Sequence, residues 1–289
     1  MRLTLSVLAV LCCAVGQPGD SYTSEIRNWR KDYDRDLLAP DGPFTLVARL
    51  APKQGVSSVG RDGTNDLVLP VDRAPAHAGK IDWPAGARAT FRLEPGIAAL
   101  VDGKPATEVG ISKPVTVTIG EIKLLFRFRE SGLRVGVQDP DARMRKEAKP
   151  SIWFPIAARY RINADWIPFP EAKTIRIPDN DGGSREWNSP GYASFSFDGE
   201  NVTLQAVLTP DGKQLSIFFR DRTAGQETYG AGRFLEADLP KDGKVVVDFN
   251  KAYNPYCAFN TLYVCPIPPR ENHLPVRITA GERNYPHPE

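Results

Sequence analysis

Between residues 248 and 272 the chain reads DFNKAYNPYCAFNTLYVCPIPPREN. The oxygen donors Asp248, Asn250, Asn254, Glu271 and Asn272 lie in it with three tyrosines and with Cys257 and Cys265, eight residues apart. Asp248 and Glu271 are the residue types that a glycoside-cleaving hydrolase uses as its acid and base. The same oxygens suit a hard cation such as Ca²⁺. No fixed-spacing calcium loop is present, however, and Asn or Asp beside proline commonly makes turns by bonding its own backbone. No metal or other cofactor is therefore expected, with a divalent ion as the alternative. A nucleophilic Cys257 would need His273 as its base. Two cysteines at this spacing, in a chain with three histidines, fall short of the four ligands of a structural zinc site.

A second group precedes it. Arg220-Asp221 enters a glycine-bearing turn, and Tyr229-Gly230-Ala231-Gly232-Arg233 follows. Set around a concave site with Tyr253, the guanidinium forks of Arg220 and Arg233 would clamp a carboxylate or phosphate. Tyrosines beside Asn and Asp equally suit a sugar face. The expected ligand-binding residues are Arg220, Asp221, Tyr229, Arg233, Asn250, Tyr253, Asn254 and Asn272. The competing reading makes them a rigid loop network. The chain has no Gly-x-Ser-x-Gly elbow, no phosphate-binding Gly-Lys-Ser/Thr loop and no dinucleotide fingerprint after a strand.

The elements that must hold these residues are nearly all β. One helix is predicted over Ser21 to Leu38, where Ile26, Trp29, Tyr33 and Leu37 recur at helical spacing. Ser21, Thr23 or Ser24 would cap it, and Ala39-Pro40-Asp41-Gly42 would stop it. Its stripe is expected to dock on a sheet. From Phe44 onward short apolar runs alternate with Asp-Gly pairs at 62, 102, 198, 211 and 242, which supply the positive φ that tight hairpins require. Residues 115–128 and 201–220 read as hairpins, and 244–250 and 276–280 as further strands. The fold class is mainly β, an N-terminal helix followed by two β-sandwich or barrel-like halves. The polar stretch 139–151 marks the boundary, giving units of 17–145 and 146–289.

Charge and the N-terminus bound the setting. The 37 basic residues nearly balance the 35 acidic ones, so no basic field points to nucleic acid. Residues 1–16 carry Arg2, an apolar run and a small-x-small site at Ala14-Val15-Gly16, the pattern of a signal peptide. The run is short for a membrane span. A mature chain starting near Gln17 would be exported, periplasmic or secreted, without a membrane span. A lipoprotein anchor on Cys12 or Cys13 is the alternative. Export leaves Cys257 and Cys265 as two neighbouring cysteines in an oxidising compartment, where a disulfide is expected. Closing so short a loop would stabilise the fold by roughly 2.5 kcal/mol.

Two resemblances add to this. VGRDGTNDLVLP, PAHAG, VDGKPA and VTVTIGEIKLLF, in that order over residues 59–126, resemble a forkhead-associated domain, a β-sandwich that binds phosphothreonine through its loops. Gly60-Arg61 and His77-Ala78 fall on that family's Gly-Arg and His-Ala, and Val101-Asp102-Gly103 on its later turn. The family's serine falls on Ala74, and its peptide-gripping loop has no counterpart around Glu94-Pro95-Gly96. The resemblance thus implies the fold without the phosphopeptide activity. His77 then reads as a packed or surface histidine. SIWFPIAARYRI (151–162), FFRDRTAGQETYGAGRFL (218–235), VVVDFNKAYNPYCAF (245–259) and CPIPPRENHLPVRITAGE (265–282) resemble the bacterial family catalogued as domain of unknown function 1684. That resemblance extends back to Glu25–Arg30 and VGRDGTNDLVLP. The family pattern has an arginine at His273, which speaks against a shared catalytic role there.

The reading is a non-catalytic exported binding module for a small polar or glycan-like ligand, its site walled by a stapled 248–272 loop. The alternatives are a hydrolase using Asp248 and Glu271, with or without a metal, and a structural envelope protein. The sequence sets no oligomeric state.

Overall fold

The computed structural model describes residues 18–286. The signal-peptide reading, with Cys12, Cys13 and Gln17, lies outside them. Helix α1 spans Pro18–Leu37. It begins before the three expected caps, so Ser21, Thr23 and Ser24 lie inside it, and it stops at the Ala39–Gly42 turn.

Two β units follow. The first holds β1 (Leu46–Leu50), β2 (Gly55–Gly60), β3 (Leu67–Val68), β4 (Gly79–Trp83), β5 (Ala89–Leu93) and β6 (Ala99–Val101). It continues with β7 (Lys104–Pro105), β8 (Glu108–Ile111), β9 (Val115–Ile119), β10 (Ile122–Arg129) and β11 (Gly132–Gln138). These make two sheets, β1-β11-β10-β9-β6-β7 and β3-β2-β4-β5-β8. Their inner faces share one core, in which Ile81 and Phe91 meet Leu124, Phe126 and Val135. The Phe91 and Phe126 rings lie 5.2 Å apart.

The polar connection carries the short helix α2 (Arg143–Glu147), whose Arg145 donates to the carbonyls of Leu38, Ala39 and Pro140. The second unit holds β12 (Arg161–Pro178), β13 (Ser184–Phe197), β14 (Glu200–Leu208), β15 (Gln214–Phe219), β16 (Arg233–Asp238) and β17 (Lys244–Asp248). Their order, β16-β15-β14-β13-β12-β17, describes a nearly closed, barrel-like sheet. Both expected hairpins form, as β9–β10 and β14–β15. At Asp102-Gly103, Asp198-Gly199 and Asp242-Gly243 both residues take positive φ, as the Asp-Gly pairs predict.

Residues 276–280 do not ladder as the expected strand. They alternate correctly, with Val276, Ile278 and Ala280 in the barrel core. Their backbone, however, is met by side chains: Ile278 N–H donates to Asp221, and Arg233 donates to the carbonyls of Ile278 and Ala280. A buried Asp–Arg pair takes the place of a neighbouring strand, satisfying backbone groups that burial would otherwise orphan.

Helix α1 also departs from expectation. Its stripe meets chiefly the turns beyond β17 and the C-terminal segment. Tyr22 donates to Asp248 at 2.8 Å, Arg30 to the carbonyls of Phe154 and Asn250 at 2.9 and 3.1 Å, and Tyr33 to Glu282 at 3.1 Å. A sheet face offers few unpaired acceptors, whereas irregular backbone offers many. Leu37 completes the docking in a cluster with Phe44, Phe259 and Tyr285.

Gly232 shows how tightly the turn before β16 is built. It holds φ +110, and a Cβ there would stand 2.6 Å from the Phe219 carbonyl and 2.7 Å from Pro268. Gly232→Ala is expected to cost about 2 kcal/mol, through a conformation closed to L side chains and a backbone clash. Urea denaturation midpoints at unchanged m check it; no shift would mean the turn relaxes freely.

Candidate functional site

A cleft of about 590 Å³ opens between α1, the first unit and the 253–265 loop. Strand alternation explains its floor. On β10 and β11 one face sends Leu124, Phe126, Leu133 and Val135 into the sandwich. The other presents Leu125, Arg127 and Arg129 beside Arg134 and Gly136. Register sets Arg127 directly opposite Arg134, and Arg49 of β1 opposite Gly136. Arg185 of β13 joins from the second unit.

Two of these arginines are anchored. Arg49 pairs with Asp181 at 2.8 Å, and the Arg185 Nε reaches both Asp179 oxygens at 3.0 Å. Arg127 and Arg129 have no carboxylate within salt-bridge distance among the described residues, and Arg134 donates only to the Leu133 carbonyl. Burial, then the neighbouring Arg185 and Arg127 charges, push the Arg129 guanidinium below its ordinary value.

The walls are aromatic. Trp29 stacks on Tyr33 at 5.6 Å, Tyr33 meets Tyr253 at 5.6 Å, and Tyr256 meets Tyr263 edge-on at 5.2 Å. Burial raises Tyr33 and Tyr253 well above the usual phenol range and Tyr263 to about 12, so all three stay neutral donors. Tyr253 donates to Glu236, whose carboxyl burial pushes up.

Of the predicted ligand-binding residues, Tyr253 alone lines this cleft; Cys265 lines it too. The others build the frame. Arg233 and Asp221 form a buried ion pair at 3.2 Å, with Asp221 also accepting from the Thr223 N–H and hydroxyl. Asn250 ties Tyr22, Ala157 and Asp248 together. Asn254 donates to Glu282 and the Arg283 carbonyl, and Asn272 clamps Gln205 of β14 and the Phe218 carbonyl. Tyr229 reaches toward the Cys257 carbonyl at 3.5 Å, and Arg220 is exposed, its backbone paired with Asn272 and Leu274. The loop-network reading describes these residues.

The two candidate carboxylates are not brought together. Asp248 sits at the end of β17, accepting from Tyr22 and Asn250 beside a groove with Arg161 and Glu25. Glu271 is exposed on the 3₁₀ turn Arg270–Asn272, which Asn272 pins to β14, and does not line the groove beside Asp248. Among the described residues no three His, Cys, Asp or Glu side chains converge as a metal site. The loop brings Cys257 and Cys265 together as buried free thiols rather than the expected bridge. The Cys257 N–H donates to the Cys265 sulfur at 3.3 Å, and the shared thiol hydrogen bond makes Cys257 the more acidic of the two.

Sequence reasoning missed the cleft arginines and Glu282. Alternation through LLFRFR places Arg127 and Arg129 on one face, and the even-numbered run 276, 278, 280 continues to a fully buried Glu282. On the forkhead-like face, Arg61 is spent on the Ala74 carbonyl, and Arg73 on Glu121, Asp139 and Asp141. His77 is exposed, 3.3 Å from Asn65.

No curated protein matches the chain. Among solved structures, an uncharacterised protein of Haloarcula marismortui is 31% identical over 48% of this chain and 78% of its own, with a TM-score of 0.41. The second forkhead-associated domain of a Mycobacterium tuberculosis ABC transporter is 22% identical over 46% of this chain and 95% of its own, at TM-score 0.24. The family profile covers the second unit, including the barrel, the Asp221–Arg233 pair and the loop that walls the cleft. Residues 151–283 match the model of the family described as "Protein of unknown function (DUF1684)".

Proposed function

We propose that the protein is a non-catalytic, exported binding module whose ligand occupies the cleft between α1, the first β unit and the 253–265 loop. The observation that carries this is the cleft itself. Its size falls in the ordinary range for small-molecule sites, and aromatic walls face polar groups whose hydrogen-bonding capacity is unspent. That Glu271 does not line the groove beside Asp248 favours binding over the carboxylate-pair hydrolase. Export rests on the sequence of residues 1–16 and on the composition of the chain beyond it. Export would put the Cys257 and Cys265 thiols in an oxidising compartment, and non-reducing mass mapping of secreted protein reads whether they stay free there.

The cleft reading is tested by a thermal-shift screen of the purified protein with sugars, peptidoglycan fragments, aromatic acids and phosphate esters. A ligand at a hundred times its Kd is expected to add about 2.7 kcal/mol of stability, and Tyr256→Ala in the cleft wall to weaken it. A flat screen on folded protein would favour a structural envelope role.

A further inference from the structure

We infer that the ligand of this cleft is an anion, a phosphate or carboxylate carried on a flat aromatic body, held by Arg127, Arg129 and Arg134. The inference rests on the binding-module reading and narrows it to a chemical class. Like charges directly opposite on neighbouring strands are destabilising, yet Arg127 faces Arg134 across β10 and β11, with Arg129 two residues along. Where Lys80 on β4 faces Arg92 on β5, the like charges are relieved by Glu108 on β8, which meets Arg92 at 3.0 Å; Arg127 and Arg134 have no such carboxylate among the described residues.

The acids near the cleft arginines do not quench them. Asp181 and Asp179 are committed to Arg49 and Arg185; of the two acids lining the cleft, Asp36 pairs with Arg35 and Glu236 accepts from Tyr253, so Arg127 and Arg129 face the cleft without an ion pair among the described residues. Planar guanidinium forks converging without a carboxylate match the oxygens of a phosphate or carboxylate. A neutral sugar would leave their charge uncompensated.

The far end calls for a ring. Trp29, Tyr33, Tyr256 and Tyr263 supply flat apolar faces, with Phe234 behind Tyr253. Offset or edge-on contact with such faces favours an aromatic body. Tyr263 stands beside Arg127, which joins the two ends of the site.

The test is calorimetric titration of the full chain with 1-naphthyl phosphate, 1-naphthoate, inorganic phosphate and the neutral 1-naphthyl glucoside. The naphthyl anions are expected to bind, with affinity falling as salt is raised. The Arg127→Gln/Arg129→Gln double variant, which breaks no ion pair, is expected to weaken them about ten- to a hundredfold. Inorganic phosphate and the glucoside are expected to bind far less tightly. Equal affinity for the glucoside, indifferent to the double variant, would overturn the anion while the binding module stands. Inorganic phosphate binding as tightly as its naphthyl ester would overturn the aromatic body. If no probe binds to folded protein, the inference fails, and the binding-module reading stands or falls on the thermal-shift screen alone.

Discussion

Asp221→Ala is expected to cost about 3–5 kcal/mol of folding stability, because it strands the Arg233 guanidinium uncompensated in the barrel. Both side chains of the pair are about 1% exposed. Burial already lowers the Arg233 pKa, and Asp221 is its largest compensating charge. The carboxylate also accepts from the Ile278 N–H and from Thr223, so truncation orphans buried donors as well. Urea denaturation read as a shift of midpoint at constant m measures the loss. A change below about 1 kcal/mol would show that the pair contributes little there. Asp221→Ala with Arg233→Met should recover part of the loss by removing the stranded charge. It should not recover all of it, since Arg233 also donates to the Ile278, Ala280 and Glu282 carbonyls.

That pair also marks how far the sequence could be read. Arg-Asp beside a glycine turn is equally a ligand clamp or a structural bolt, and only burial separates the two. Local signals fared well in part: the apolar stripe of α1 placed Ile26 and Leu37 inside, and the Asp-Gly pairs at 102, 198 and 242 took the expected positive φ, whereas Asp62-Gly63 takes none and lies between the parallel strands β2 and β3. The proline-rich 248–272 loop does wall a cleft. Non-local facts were illegible. That Arg127 opposes Arg134 depends on a strand register no spacing reveals. The partner of α1 was likewise hidden, because the carbonyls that meet Arg30 belong to residues more than a hundred positions away. The cleft itself lies between segments distant in sequence, so a search within either half could not find it.

Glu282 makes stability depend on pH. Its carboxyl is fully buried, and desolvation raises its pKa from 4.5 to about 7 against the Asn254 and Tyr33 hydrogen bonds to its ionised form. Its second oxygen has no partner among the described residues. Asp34, Ser151, Tyr33 and Arg233 face or border it, and none of them neutralises it in a direct ion pair. Between about pH 4.5 and 7 the folded chain therefore keeps a proton that the unfolded chain has released. The stabilisation is complete below the unfolded value and is lost as pH rises through about 7, a decline of about 3 kcal/mol. Asp34 and Glu236, also raised by burial, act in the same direction. Asp62, Asp66, Asp181 and Asp211, all lowered by hydrogen bonds, act in the opposite sense but only at more acidic pH. Urea midpoints at pH 5, 6, 7 and 8 should fall steadily in the native protein, and a native protein as stable at pH 8 as at pH 5 would sink the account. Glu282→Gln keeps the acceptor for Asn254 and Tyr33 and cannot ionise, so it should flatten most of the slope and be the more stable of the two at pH 8. Because the Tyr33 ring lines the cleft while its hydroxyl rests on Glu282, the same variant holds the aromatic wall in place at every pH.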